Sequence, residues 1–229
     1  REAKFAEFES IISSRNLGSD FRRQLESNIT NYVSENRRDI FTSNIVSIEV
    51  SETGLSPGKT GRVPGVPLNQ FSFDEKDGEL RVATTVSPND RQSSMNDVYI
   101  LDDELDVTGS VQGMAEGQRI YAVRFIDDRA YVITYRQVDP LHVIDLTDPT
   151  MPEEIGTLKL PGFSEYLHKV GDGKLLGVGE SADGLGKVVL FDVTDGENPR
   201  VADSLTFNQR STAVSESHHA FMNDGEMNN

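Results

Sequence analysis

The segment Asp145–Pro149, with the sequence DLTDP, decides the fold, because Asp192–Gly196 repeats it as DVTDG. Pro152 follows the first copy and Pro199 follows the second at the same spacing. An aspartate in a turn accepts hydrogen bonds from backbone amides, and proline fixes φ and cannot donate to a β-ladder. Each copy therefore predicts a strand that ends in a turn before the next strand begins.

Three units of similar length extend outward from this motif. Their third strands end at Asp102, Asp145 and Asp192, which are 43 and then 47 residues apart. Repeats of about 40 to 50 residues with four strands each are typical of propeller blades. The first unit lacks the motif and has Asp102–Leu105 (DDEL) in its place, and a fourth unit begins at His218–Phe221. We predict an all-β fold of four-stranded antiparallel β-propeller blades.

The N-terminal part of the chain has a different periodicity. Residues 1–43 form a predicted helical segment, because apolar residues recur at helical spacing up to about residue 40. Residues 44–67 are predicted as a strand over Ile45–Val50 followed by a linker, since Ser51–Pro67 contains four glycines and three prolines. Residues 68–229 are predicted as blades of a larger propeller, with the helical segment packed on them.

Five segments resemble a family of secreted microbial proteins, the β-propeller domain family. They are Gly65–Ser72, Leu80–Thr85, Tyr121–Phe125, Val138–Leu146 and Pro161–His168. The resemblance covers the chain from about Ile45 onward, and it implies a propeller fold and an extracellular or cell-envelope location. The family is uncharacterised in function, so the resemblance implies no reaction. Its members are usually longer than this chain.

The charge of the chain limits its partners. Asp and Glu outnumber Lys and Arg by 38 to 22, which gives a formal net charge of -16. Such a surface repels nucleic acid and anionic lipid, so we predict neither as a partner. The carboxylate excess favours salt adaptation, and an ordinary acidic secreted domain is the alternative.

The composition also excludes several chemistries. The chain contains no cysteine, which removes disulfides, thiolate catalysis and cysteine-based metal sites. It has no apolar run of the roughly 20 residues that a membrane span needs. It contains no tryptophan, which counts against a quinone-binding propeller, and we predict no cofactor. Because the chain begins without Met, we expect it to be an excised piece.

His168 and His219 are the candidate ligand-binding residues, because they occupy similar places in the third and fourth units. They predict either a pair that lines a central channel and binds a metal, or two packing residues at the start of inner strands. The second alternative is more common. Acidic turns such as Asp102-Asp103 and Asp127-Asp128 have carboxylates that suit calcium but lack a complete calcium loop, so solvated turns are the default.

Two further motifs have simpler explanations. Gly177–Gly179 and Gly184–Gly186 precede a strand rather than the helix that a phosphate loop requires, so they indicate tight turns and close packing. Ser215–His218 contains Ser, Glu and His, but adjacency in sequence does not produce triad geometry. We therefore predict no catalytic residue.

The functional prediction is a non-catalytic binding or scaffold propeller of the cell surface or secreted space, with an unknown protein or small-molecule ligand. The alternative is a hydrolase or lyase with an acidic and histidine site at the channel mouth. Because an incomplete ring exposes blade edges, oligomers through these edges are expected. The alternative to such oligomers is a small closed ring, in which the strand near Ile45–Val50 pairs with the C-terminal unit.

Overall fold

The computed structural model describes residues 18–86, 94–135, 139–209, 213–215, 217 and 220–222. The chain divides into two compact units, residues 1–40 and residues 41–229. The first described unit is helical, and the second is made almost entirely of antiparallel strands. This composition confirms the predicted fold class.

The first unit contains helix α1 (Ser19–Glu35) and the short helix α2 (Arg37–Ile40). Gly18 is the N-cap residue of α1, and Asn36 ends it by donating from its backbone amide to the Tyr32 carbonyl at 3.0 Å. The predicted helix before residue 18 lies outside the described residues. None of the helices in the described ranges is long and apolar enough to cross a membrane.

The second unit contains three four-stranded antiparallel sheets, each with its strands paired in sequence order. The first blade consists of β3 (Phe73–Lys76), β4 (Glu79–Val86), β5 (Met95–Leu101) and β6 (Val107–Met114). The second blade consists of β7 (Arg119–Ile126), β8 (Arg129–Tyr135), β9 (Asp139–Asp145) and β10 (Glu153–Leu160). The third blade consists of β11 (Phe163–Gly171), β12 (Lys174–Glu180), β13 (Gly186–Asp192) and β14 (Arg200–Thr206).

A two-stranded hairpin precedes the blades and corrects the predicted linker. Strand β1 (Thr42–Ser51) pairs antiparallel with β2 (Gly54–Pro64), so most of the stretch Ser51–Pro67 is a strand and not a loop. The prediction of a linker was wrong because it relied on the many glycines and prolines of this stretch, which are more common in loops than in strands. In the described residues β2 pairs with β1 alone, and proline is tolerated in a strand with such a free edge.

The repeated aspartates end their strands as the motif predicts. Asp145 Oδ1 accepts a hydrogen bond from the Thr147 amide at 2.8 Å, and Asp192 Oδ1 accepts one from the Thr194 amide at 3.2 Å. Asp102 does the same for the Glu104 amide at 3.0 Å, although its unit lacks the rest of the motif. The aspartate therefore makes the same turn contact in a unit that lacks the rest of the motif.

The blades stack through apolar interfaces. One core cluster joins the first blade to the second and includes Ile100, Val132 and Ile144, all at most 1% exposed. A second cluster joins the second blade to the third and includes Ile133 and Leu175. Burial of each such side chain stabilises the fold by about 1.5–3 kcal/mol, so the interfaces hold neighbouring blades together.

Candidate functional site

The inner positions of the three blades lie side by side. Strand β7 of the second blade contacts β11 of the third blade and a 3₁₀ helix, Gln70–Ser72, that precedes β3 in the first. Asn69 caps this 3₁₀ helix by accepting a hydrogen bond from the Phe71 amide at 2.9 Å. The cap fixes the backbone that carries Phe71 next to β7.

Arg124 on β7 links the inner positions of all three blades. Its guanidinium carbon lies 4.0 Å from the centre of the Phe71 ring and 5.2 Å from the centre of the Tyr166 ring. Its Nε donates to the Leu167 carbonyl at 2.9 Å. Among the described residues, no carboxylate forms a salt bridge with it. Two aromatic faces, rather than an anion, therefore surround this cation.

Tyr166 and His168 on β11 extend this group of side chains. The Tyr166 hydroxyl lies 3.1 Å from His168 Nδ1, and the Phe221 ring lies 5.4 Å from the Tyr166 ring and 5.0 Å from the His168 ring. We call Phe71, Arg124, Tyr166, His168 and Phe221 the Arg124 cluster.

Burial shapes the ionisation of this cluster. Burial lowers the pKa of His168, and the positive charge of Arg124 lowers it further, so the imidazole is neutral at pH 7. In its Nε2–H tautomer, this neutral ring accepts a hydrogen bond from the Tyr166 hydroxyl at Nδ1. Burial also lowers the pKa of Arg124, while Tyr166 acts in the opposite direction. The guanidinium stays charged because its ordinary pKa is so high.

A cavity of about 540 Å³ opens beside the starts of the inner strands, and we call it the mouth cavity. Phe71 and Tyr166 of the Arg124 cluster line one side. Apolar residues such as Val66 and Ile120 form much of the remaining wall, and Arg119 and Glu165 contribute charged groups. The wall therefore combines apolar and polar surface in similar amounts, and a concave site with both kinds of group suits a small molecule or a peptide side chain.

Only one residue of the predicted histidine pair, His168, lies among the described residues. His168 lies on inner strand β11, where its ring packs against the Tyr166 and Phe221 rings. His219 lies outside the described residues, so the pairing of the two histidines stays a prediction. In the described ranges, no group of three His, Asp or Glu side chains has the geometry to hold a metal ion.

The acidic turns bond to protein groups. Asp127 Oδ2 lies 3.0 Å from Lys169 Nζ, and Asp128 forms an ion pair with Lys76. Of the Ser215–His218 segment, Glu216 and His218 lie outside the described residues. Gly177 and Gly179 lie within β12, where a Cβ atom would collide with Ser164 and with the Phe163 carbonyl. This confirms the close packing predicted for these two glycines, but both lie inside a strand, so the prediction of tight turns is wrong for them.

Sequence analysis missed Arg124, Phe71 and Tyr166 as site residues. The signal for Arg124 was present, because it is a charged residue within the otherwise apolar segment Tyr121–Phe125. Nothing in the sequence indicated that Phe71 would face it, because Phe71 belongs to a different repeat.

Comparisons with known proteins agree with this architecture. A model of the beta propeller domain family matches residues 11–229. The chain is similar to an uncharacterized protein of Methanocaldococcus jannaschii, with 38% identity over 230 residues, which covers 97% of this chain and 36% of the relative. It is also similar to an uncharacterized protein of Archaeoglobus fulgidus, with 39% identity over 198 residues, which covers 86% of this chain and 30% of the relative. The chain thus spans about a third of the length of these curated relatives.

Proposed function

Since this chain belongs to the beta propeller domain family, we propose that it is a non-catalytic binding propeller that holds its ligand in the mouth cavity. Propellers present loops and a channel on a rigid frame, which suits recognition. The ligand has an apolar or aromatic body with polar substituents, because the cavity wall has that character. The fragment screen described below is designed to identify this ligand.

One observation supports this proposal most strongly. The mouth cavity lies where the inner positions of three separate blades meet, and Arg124 contacts both Phe71 and Tyr166 of its aromatic wall. Contacts to Phe71 and Tyr166 fix both rings before any ligand arrives. Rigid aromatic walls reduce the entropy lost on binding, which favours recognition of a flat apolar group.

The alternative, a hydrolase or lyase at the channel mouth, has weaker support. Such an enzyme needs an acid and a base with pKa values suited to proton transfer. His168 is neutral, but its hydrogen-bond partner among the described residues is the Tyr166 hydroxyl and not a carboxylate. The surroundings of His168 therefore favour packing and recognition over proton transfer.

We also propose that the protein acts at the cell surface or in the secreted space. The resemblance to secreted propellers supports this location, and a strongly acidic surface is compatible with it. Fractionation of native cells with an antibody against the chain tests the proposal. Recovery of the protein only with cytoplasmic markers would contradict it.

A fragment screen with a matched pair of variants tests ligand binding. Ligand-observed NMR against a library of aromatic and aliphatic acids, amines and amides identifies compounds that bind the wild-type chain. Val66→Trp fills part of the mouth cavity and is expected to weaken binding at least tenfold. Val107→Trp is the control, because Val107 is similarly exposed (44%, against 46% for Val66) but lies on outer strand β6.

The outcomes separate the two functions. Loss of binding in Val66→Trp alone supports a ligand site in the mouth cavity. Equal binding by both variants, or no binding compound in the library, would contradict it. Conversion of a bound compound into products, followed in the same NMR samples, would support the enzyme instead.

A further inference from the structure

Helix α1 lacks the local features that would keep it folded by itself. It contains no alanine, and its run Asn28–Val33 (NITNYV) has none of the residue types that form helices best. Its N-cap residue is Gly18, which has no side chain to accept hydrogen bonds from the first amides. Helices of this length in water draw most of their stability from the packing of an apolar face. Helix α1 therefore requires a partner that covers such a face.

The apolar face of α1 is a stripe along one side of the helix. Phe21, Leu25, Ile29 and Val33 recur at every fourth position, and Tyr32 lies on the same side. We call these five residues the α1 stripe. Phe21 is 53% exposed, Ile29 41% and Tyr32 62%, and none of the 17 residues of α1 is buried. The described residues thus leave the stripe uncovered.

The other helix in the described part of this unit is too short to cover the stripe. Helix α2 has four residues, and three of them are charged. The stripe extends from Phe21 to Val33, which is about 18 Å along the helix axis, whereas a helix of four residues spans about 6 Å. The partner of the stripe must therefore come from another part of the protein.

Residues 3–15, which lie outside the described residues, have a matching sequence pattern. Phe5, Phe8 and Ile12 follow the i, i+3, i+7 spacing of one helix face, and Ser10 falls on the opposite side of that pattern. A helix over residues 3–15 would extend about 20 Å, which is enough to cover the stripe. Residues 1–17 also belong to the same compact unit as α1 and not to the propeller unit.

The connection between residues 3–15 and α1 is short. Asn16–Gly18 separates the two stretches, and two helices joined by about two to five residues pack antiparallel. In such a hairpin, residues at equal distances from the middle of the connection lie at the same height. Three apolar pairs lie at nearly equal distances on either side of Leu17: Ile12 with Phe21, Phe8 with Leu25, and Phe5 with Ile29. The two apolar faces are therefore in register.

Electrostatic repulsion does not oppose this contact. Residues 1–17 contain equal numbers of acidic and basic residues, and so do residues 18–40. The net charge of -16 therefore belongs entirely to the propeller unit. Two stretches without net charge can pack together without the mutual repulsion that acts within the acidic propeller.

We propose that residues 3–15 form a helix that packs antiparallel on the α1 stripe, so that the N-terminal unit is a two-helix hairpin with an apolar core of its own. Phe8 lies against Leu25 near the centre of this core, with Ile12 against Phe21 near the connection and Phe5 against Ile29 at the far end. The proposal does not depend on the mouth cavity or on its ligand.

Disulfide formation tests the proposal directly, since the chain has no cysteine of its own. Phe8→Cys combined with Leu25→Cys places two thiols at facing positions of the hairpin. Phe8→Cys combined with Ser27→Cys is the matched control, because Ser27 is exposed and lies on the opposite side of α1 at nearly the same height. A disulfide tolerates only a narrow range of distances between its Cβ atoms. We expect the first pair to form an intramolecular disulfide at least tenfold faster than the control pair in the 229-residue chain.

Two outcomes of this experiment would overturn the proposal. Equal rates for the two pairs would show that Phe8 does not face the stripe. A Leu25→Cys thiol that joins two chains, in preference to the Phe8→Cys thiol of its own chain, would identify a second copy as the partner of the stripe. Mass spectrometry of the oxidised protein distinguishes these outcomes.

Hydrogen exchange provides a second test that uses no cysteine. Phe8→Asp places a charge in the proposed interface, whereas Ser10→Asp places the same charge on the outer side of the proposed helix. We expect the amides of α1 to exchange at least tenfold faster in Phe8→Asp than in the wild type, and at the wild-type rate in Ser10→Asp. The amides of strands β4 and β8 should keep their protection in both variants, which shows that the propeller is folded.

The same measurement can contradict the proposal in two ways. Unchanged protection of α1 in Phe8→Asp would show that the cover of the stripe comes from another part of the protein. Equal loss of protection in Phe8→Asp and Ser10→Asp would show that the effect comes from the added charge and not from an apolar contact of Phe8.

Discussion

Arg81 and Arg124 lie in neighbouring blades, and their guanidinium groups have different partners. Arg81 is 3% exposed, and its Nη1 donates to the Asp127 carbonyl at 2.6 Å and lies 3.5 Å from Asp74 Oδ2. Arg124 contacts two aromatic rings, and its Nε donates a hydrogen bond to the Leu167 carbonyl.

The difference shows how one residue type serves two purposes. Arg81 connects the first blade to a turn of the second blade through oxygen atoms, so its contacts stabilise the stacking of blades. Arg124 contacts two aromatic rings of the mouth cavity wall, and under the proposed function these contacts order that wall for recognition. The predictions below test this division.

The largest effect is expected from Arg81→Met. Methionine keeps most of the apolar volume but removes the hydrogen bond of a charged group to the Asp127 carbonyl, which costs about 1.5–3 kcal/mol in the free energy of unfolding. Urea denaturation measures this loss. If Arg81→Met proves as stable as the wild type, Arg81 does not connect the blades.

Arg124→Met should have a smaller effect on stability, about 1–2 kcal/mol, because it removes one hydrogen bond and the contacts of the cation with two rings. It should also weaken any ligand of the mouth cavity, since Phe71 and Tyr166 lose the group that orders them. The same denaturation series measures stability, and NMR titration measures binding. A variant that loses stability but binds normally would separate Arg124 from recognition.

Lys169→Met should cost at most about 0.5 kcal/mol, because the ion pair of Lys169 with Asp127 is largely exposed. This difference from the wild type should disappear in 1 M NaCl, which screens exposed charges, whereas the loss in Arg124→Met should persist. Melting temperatures across a salt series measure both. Salt sensitivity of the Arg124→Met difference would contradict its aromatic environment.

The same salt series tests salt adaptation, which we propose from the net charge of -16. Screening of mutual repulsion should raise the melting temperature of the wild type between dilute buffer and molar salt. An unchanged melting temperature would reject salt adaptation.

The smallest expected effect is a pH dependence from His168. Its pKa is lowered in the folded protein, so the unfolded chain binds the proton more readily, and stability falls as the pH drops below the unfolded value of about 6.5. His168→Phe lacks this proton and should show a flatter profile between pH 8 and 5. Glu154, whose pKa is lowered by its hydrogen bond to His142, loses its contribution only at more acidic pH. Identical profiles for wild type and His168→Phe would contradict the burial of this imidazole.

Local sequence was enough to predict the second and third blades. Asp145 and Asp192 accept hydrogen bonds from backbone amides two residues further along the chain. Both partners of such a bond lie in one short segment, so the sequence of that segment is enough to predict the turn. The linker prediction for Ser51–Pro67 was wrong because the composition of β2 resembles a loop. Only pairing with β1 makes this segment a strand.

The sequence by itself determined the strand period, the turns and the repeat, because each depends on residues close together in the chain. The tertiary structure alone decided that Phe71, Arg124 and Tyr166 meet, since each comes from a different blade and their contacts depend on how the blades stack. It also decided that Gly61 faces Leu105, as Gly109 faces Pro149. Stacking sums many weak apolar contacts across each interface, and no short stretch of sequence contains both sides of such an interface.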